Sequence, residues 1–137
     1  MPNILNKLVT KSHHIFKDND GIIHVEIIEG AHICLQSIKE SGKYIHSYAG
    51  NRKELVIVDA RKHHTITDEA MSFLKTEMIE KNRLATAVVT DKLGIRIMID
   101  YFTKFLKSKA KVRIFTSEEE ALKWLLGFRI RNKKKMA

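Results

Sequence analysis

Leu55-Val56-Ile57-Val58-Asp59 decides the fold. It is a short, unbroken apolar run closed by an acid. Continuous burial on both faces is what a central strand of a parallel sheet requires. On its N-terminal side, Ala31, Leu35, Ile38, Gly42, Ile45 and Ala49 recur at three- and four-residue steps. That spacing predicts an amphipathic helix from Ala31 to about Tyr48, ended by Gly50-Asn51. Gly42 inside it costs about 1 kcal/mol against alanine, so a close helix–sheet approach is expected there. Before the helix, Ile22 to Ile28 follows the turn signal Asn19-Asp20-Gly21 and reads as a strand, with His13 to Lys17 as its hairpin partner and Gly30 as its end.

On the C-terminal side, Thr67-Asp68-Glu69 reads as a capped helix start with acids in the first turn. Ala70, Phe73, Leu74, Met78 and Ile79 form the apolar face of that helix. Ala85 to Thr90 is the next strand. Residues 91–107 then carry Ile95, Met98, Ile99, Phe102, Phe105 and Leu106, a broad apolar helix face. Val112 to Phe115 is the last strand. Thr116 and Glu119 match a capping box before a helix bearing Ala121, Leu122, Trp124, Leu125 and Phe128. The expected order is β-β-α-β-α-β-α-β-α: an α/β fold with a mainly parallel sheet of four to five strands and an antiparallel edge hairpin. One domain over residues 1–128 and a basic tail over 129–137 are expected.

The chain has 137 residues, 44% hydrophobic and 30% charged, an ordinary balance for a globular domain. No apolar run approaches the roughly 20 residues of a membrane-spanning helix. Residues 1–7 lack the pattern of a secretory signal. The lone Cys34 has no internal partner, and a reducing cytoplasm is the expected location. The formal charge is +9, but it is concentrated. Lys104, Lys107, Lys109, Lys111 and Arg113 form one acid-free strip; Arg129, Arg131, Lys133, Lys134 and Lys135 form another. Each contributes +5, which leaves −1 for the rest. A nearly neutral body is weaker support for nucleic-acid binding than an evenly basic one.

The element order, the run ending Val58-Asp59-Ala60-Arg61, and the ending Val112-Arg113-Ile114-Phe115-Thr116-Ser117-Glu118-Glu119-Glu120-Ala121-Leu122-Lys123-Trp124-Leu125 together resemble the STAS/SpoIIAA-like family, including small bacterial proteins labelled STAS/SEC14-like. The resemblance spans roughly residues 12–128. It implies a sheet with its helices packed mainly on one face, and binding or regulation rather than catalysis. Antagonists of this kind are switched by phosphorylation of a Ser or Thr at the start of the helix after the central strand. The matching stretch here is Thr65-Ile66-Thr67-Asp68-Glu69-Ala70. It has no Ser and no Gly, and Asp68 stands where the phosphoacceptor would align, so a phospho-switch is not expected.

Asp59, Arg61, His63 and His64 follow the central strand, and ligands in open α/β sheets sit beyond the carboxyl ends of strands. They are therefore candidates for ligand or partner binding, with Thr65 and Thr67 as nearby hydroxyls; the bland alternative is a polar connecting loop. Gly94, in Asp91-Lys92-Leu93-Gly94, is a candidate anion contact at a helix start. The histidines show no metal-ligand spacing, so no metal is expected. No glycine-rich phosphate loop or nucleophile elbow is present, so no cofactor and no catalysis are expected, with an unrecognised enzyme using Asp59, Arg61 and His63 as the alternative. The expected partner is a protein or a second copy of this chain, with an apolar small molecule as an alternative occupant. Peripheral contact with an anionic membrane through the basic tail is a further alternative, with Trp124 and Phe128 extending that surface. Nucleic acid is not the expected partner, and its electrostatic binding through the basic strip and tail stands as an alternative.

Overall fold

The computed structural model describes residues 5–49, 53–79, 83–105 and 111–136. In chain order the elements are β1 Leu5–Val9, β2 His13–Lys17, β3 Ile23–Ile27, β4 Ala31–Ile33, α1 Leu35–Ala49, β5 Glu54–Asp59, β6 His64–Ile66, α2 Asp68–Ile79, β7 Arg83–Val89, α3 Leu93–Phe105, β8 Lys111–Phe115 and α4 Glu118–Met136. Six strands form one sheet in the order β1-β2-β3-β5-β7-β8. β1, β2 and β3 are antiparallel neighbours; β3, β5, β7 and β8 run parallel. The parallel half is linked through helices, because parallel neighbours need a crossover that a tight turn cannot supply.

The run Leu55–Val58 lies at the centre, with Val56 paired between Ile23 and Thr86 and Val58 between Val25 and Val88. Alternation then divides its side chains. Leu55 and Ile57 pack with Ala85, Ala87 and Val89 against Ala121 and Leu125 of α4. Val56 and Val58 pack on the other face with Ile15, Ile23 and Val25, beneath Tyr44, Ile45 and Tyr48 of α1. On that same face Ile27, Val58, Val88, Val112 and Ile114 meet Ile38 of α1, Ala70, Phe73 and Leu74 of α2, and Ile95 and Ile99 of α3. Three helices thus cover one face and a single helix covers the other.

The β2–β3 turn is held by one side chain. Asp18 Oδ1 accepts from the amides of Asp20 and Ile22 at 2.9 and 3.0 Å, and Gly21 supplies the positive φ of 80° that the turn needs. Thr67 caps α2 as expected: its Oγ1 accepts from the Ala70 amide at 3.1 Å.

The structure departs from the sequence expectation at several points. β1 adds an edge strand. The expected helix start at Ala31 is instead the three-residue strand β4, paired in parallel with β6 as a separate small sheet. Its buried–exposed–buried pattern spans too few residues to be told from a first helical turn by periodicity alone. α1 begins after Cys34, whose carbonyl accepts from the Ile38 amide at 3.1 Å. The cap of α4 is Ser117 rather than Thr116: Ser117 Oγ accepts from the Glu120 amide at 3.4 Å, so the box is shifted by one residue. Trp124 and Phe128 are partly buried against the α4-side core. The backbone of α4 also continues through residues 129–136, so the basic tail extends a helix.

Candidate functional site

Beneath α1, α2 and α3 the packing leaves a cavity of about 420 Å³ against the sheet. That is within the range of small-molecule pockets, about 300–1,000 Å³. Its walls are mainly apolar: Val25, Ile27, Val58 and Val88 from the sheet, Ile38 from α1, Leu74 from α2 and Ile99 from α3. Gly42 of α1 lines it and is buried. The glycine anticipated as a close helix–sheet approach therefore borders the cavity instead. Among the described residues the polar lining is His13, Ser41, His64, Arg83 and Lys92, with no carboxylate.

His13 is positioned by a buried network. The backbone amides of Ser12 and His13 donate to Thr10 Oγ1 at 3.2 and 2.9 Å. Ser12 Oγ and Ser41 Oγ both reach His13 Nδ1, at 2.6 and 2.9 Å. Ser41 is only 4% exposed, and Nδ1 is the acceptor within its reach. With a hydroxyl donating to Nδ1, the ring proton sits on Nε2. Burial first, then repulsion from His64, pushes His13 from 6.5 down to about 4. The ring is neutral at physiological pH and is a weak base. Among the described residues no carboxylate hydrogen-bonds to this ring, the orienting contact that a nucleophilic Ser–His pair uses.

His64 and Lys92 meet at one carbonyl. Lys62 O accepts from His64 Nδ1 at 2.8 Å and from Lys92 Nζ at 3.0 Å. Since a carbonyl only accepts, His64 carries its proton on Nδ1 in the neutral form and presents Nε2 as an acceptor. At the far end of β7, Arg83 Nη1 lies 3.4 Å from Thr86 Oγ1.

The structure separates the candidates that sequence placed together. Asp59 continues the alternation of Leu55 and Ile57 and belongs to the α4 face. It forms a bidentate pair with Arg61, Nε to Oδ1 at 2.9 Å and Nη2 to Oδ2 at 2.7 Å. That guanidinium contact holds the Asp59 carboxyl below its ordinary range and raises Arg61. Arg61 also lies 3.8 Å from Glu118 at the start of α4. Glu118 in turn is 3.9 Å from His24 Nδ1. His24 Nε2 donates to Asp18 Oδ2 at 2.8 Å, and its ring stacks on Phe16 with centroids 4.6 Å apart. Burial alone would raise Asp18, but the hydrogen bonds from His24 and the turn amides hold it below the usual value.

His64 lines the cavity on the opposite face, while His63 is exposed and its carbonyl accepts from the Gly30 amide. Thr65 is exposed, and its Oγ1 is 2.7 Å from His32 Nδ1. Thr67 serves as the α2 cap. Gly94 is at the cavity lining in the first turn of α3, with nothing within 4 Å of where a Cβ would stand. Leu93 and Ile97, one turn apart on α3, are 70% and 60% exposed. Cys34 Sγ is 3.2 Å from Ser37 Oγ, and that hydrogen bond lowers the thiol. Among the described residues no group of three His, Cys, Asp or Glu is placed to hold a metal ion. Also among them, no helix is long and apolar enough to cross a membrane. The basic side chains of the tail and most of the strip over residues 104–113 lie outside the described residues.

Sequence reasoning missed His13, Ser41 and Gly42 as pocket residues. One signal was available for His13: it alternates in phase with Ile15, an inward-facing position of β2.

A mainly parallel sheet with this helix arrangement is a SpoIIAA-like α/β fold. It aligns with the crystal structure of an uncharacterized protein from the DUF3478 family with a SpoIIAA-like fold, from Shewanella loihica PV-4, at TM-score 0.64 and 12% identity, covering 86% of this chain and 98% of that one. Residues 16–129 match the family described as Domain of unknown function (DUF7793), and the chain belongs to that family. A protein of unknown function from Arthrobacter sp. FB24 overlaps loosely, at TM-score 0.27 and 17% identity over 87% of this chain and 96% of that one. No curated protein matches the chain in sequence.

Proposed function

We propose that this protein is a non-catalytic binding module that holds an apolar small molecule in the cavity beneath α1, α2 and α3. The observation that carries this reading is a cavity of about 420 Å³ whose walls are mainly aliphatic. Cores are normally packed to crystal-like density, so a void of this size forfeits contacts that an apolar occupant would restore. Apart from Arg83 at the start of β7, the polar lining residues include His13, His64 and Lys92 toward the carboxyl ends of the parallel strands, as in pockets that orient a ligand. The low basicity of His13 supports binding over acid–base chemistry. The Asp59–Arg61 pair, satisfied by itself and Glu118, supports a structural role at the start of α4.

Native mass spectrometry on gently purified protein, with titration of the neutral dye Nile red, tests the reading. The expected result is a retained small molecule or saturable dye binding that Gly42→Leu abolishes while the variant stays folded by circular dichroism. Dye binding unaffected by Gly42→Leu would place any apolar site elsewhere and end the proposal.

A further inference from the structure

The polar groups of the cavity have a common sign. His13 is 3% exposed; a serine hydroxyl donating to Nδ1 leaves the ring proton on Nε2, and no described residue bonds to that nitrogen. The ring lines the cavity, so this donor opens onto it. Lys92 adds a cation, and no Asp or Glu is among the described residues that line the space. Lys92 stands immediately before α3, and the Arg96 amide bonds to its carbonyl at 3.2 Å. The first-turn amides of this 13-residue helix therefore begin beside the cavity, with Gly94 leaving the approach open. Unpaired helix N-terminal amides and the dipole favour an anion. His64 lies between: it shares the Lys62 carbonyl with Lys92 and is close enough to His13 to repel its charge. With Nδ1 engaged at Lys62 O, Nε2 is its other hydrogen-bonding atom.

Given a cavity that takes apolar molecules, as proposed above, we infer that its occupant is an amphiphile with a carboxylate head: a fatty-acid-like molecule with its alkyl chain against the aliphatic walls and its head on the rim formed by His13, His64, Lys92 and the start of α3. A cationic head has no acid to meet there among the described residues. A neutral hydroxyl could use the histidines but would leave the Lys92 charge without an anion.

The full-length protein is loaded with Nile red, and dodecanoate, dodecanol and dodecylamine are compared as competitors at neutral pH, below their aggregation concentrations. The chain is constant, so the head alone varies. Dodecanoate is expected to compete about tenfold more tightly than dodecanol, the size of one charge-assisted hydrogen bond, and dodecylamine least well. Lys92→Met should remove the advantage of dodecanoate without weakening dodecanol, and Lys92→Arg should keep it. Equal competition by dodecanoate and dodecanol, or preference for the amine, overturns the carboxylate head while leaving the apolar cavity standing. Failure of Nile red and of all three competitors to bind overturns the cavity reading itself, and this inference with it.

Discussion

The two faces of the central sheet are covered by different means. On one face a single helix, α4, is enough. Leu125 and Ala121 are fully buried there against Leu55, Ile57, Ala85, Ala87 and Val89. Trp124 fills the remaining width, 5.6 Å from Phe115 and edge-on to Phe128 at 4.7 Å, with centroid distances in the favourable aromatic range. On the other face three helices leave a cavity of about 420 Å³. The positions around that cavity include the small residues Gly42 and Ala60 and the polar His13 and Ser41. Side-chain volume, rather than the number of covering helices, decides whether a face closes.

The largest expected effect breaks this comparison directly. Leu125→Ala should destabilise the protein by about 2–5 kcal/mol in urea unfolding, since it opens a hole in a packed core. Ile38→Ala should cost less, about 1–2 kcal/mol, because Ile38 faces the cavity and has fewer contacts to lose on that side. Equal losses at the two sites would mean that the two faces are packed alike.

The faces should also differ in their response to acid. His13 falls from 6.5 to about 4 in the folded state. Its neutral form is favoured by folding, so the unfolded chain binds more protons between these values. Stability is full above about pH 6.5 and is lost as pH falls toward 4, by on the order of 3 kcal/mol. Asp18, on the α4 face, is held below its ordinary value of 3.8, so its contribution is present above that value and is lost only at lower pH. Urea unfolding across pH should show His13→Asn flattening the slope between pH 6.5 and 4, with Asp18→Asn flattening the more acidic limb. A slope left intact in His13→Asn would refute the first assignment.

Smaller effects sharpen the contrast. Gly42→Ala should raise stability by up to about 1 kcal/mol in thermal unfolding, because Gly42 sits within a helix and borders the cavity. Arg61→Ala should cost less than about 1 kcal/mol, since Arg61 is exposed and its pairs with Asp59 and Glu118 are solvated. It should leave Nile red binding unchanged, because Arg61 belongs to the face opposite the cavity.

Local signals over a few residues determined much of this protein. The apolar run Leu55–Val58 required burial on both faces, and it lies between β3 and β7. Thr67 required a helix start, and it caps α2. The alternation of strands and helices required a parallel sheet, because each is a consequence of periods and caps that neighbouring residues carry themselves. Short elements were not legible in the same way: three residues at Ala31–Ile33 and three at His64–Ile66 become strands only by pairing with each other across the fold. The same limit governs the site. Asp59 and His64 are five positions apart, yet one joins the ion pairs at α4 and the other lines the cavity. His13, Ser41 and Lys92 are far apart in the chain and contribute to one pocket. That pocket is the volume left over when segments distant in the chain fail to fill the space between them. No residue pattern encodes such a remainder, and only tertiary packing decides it.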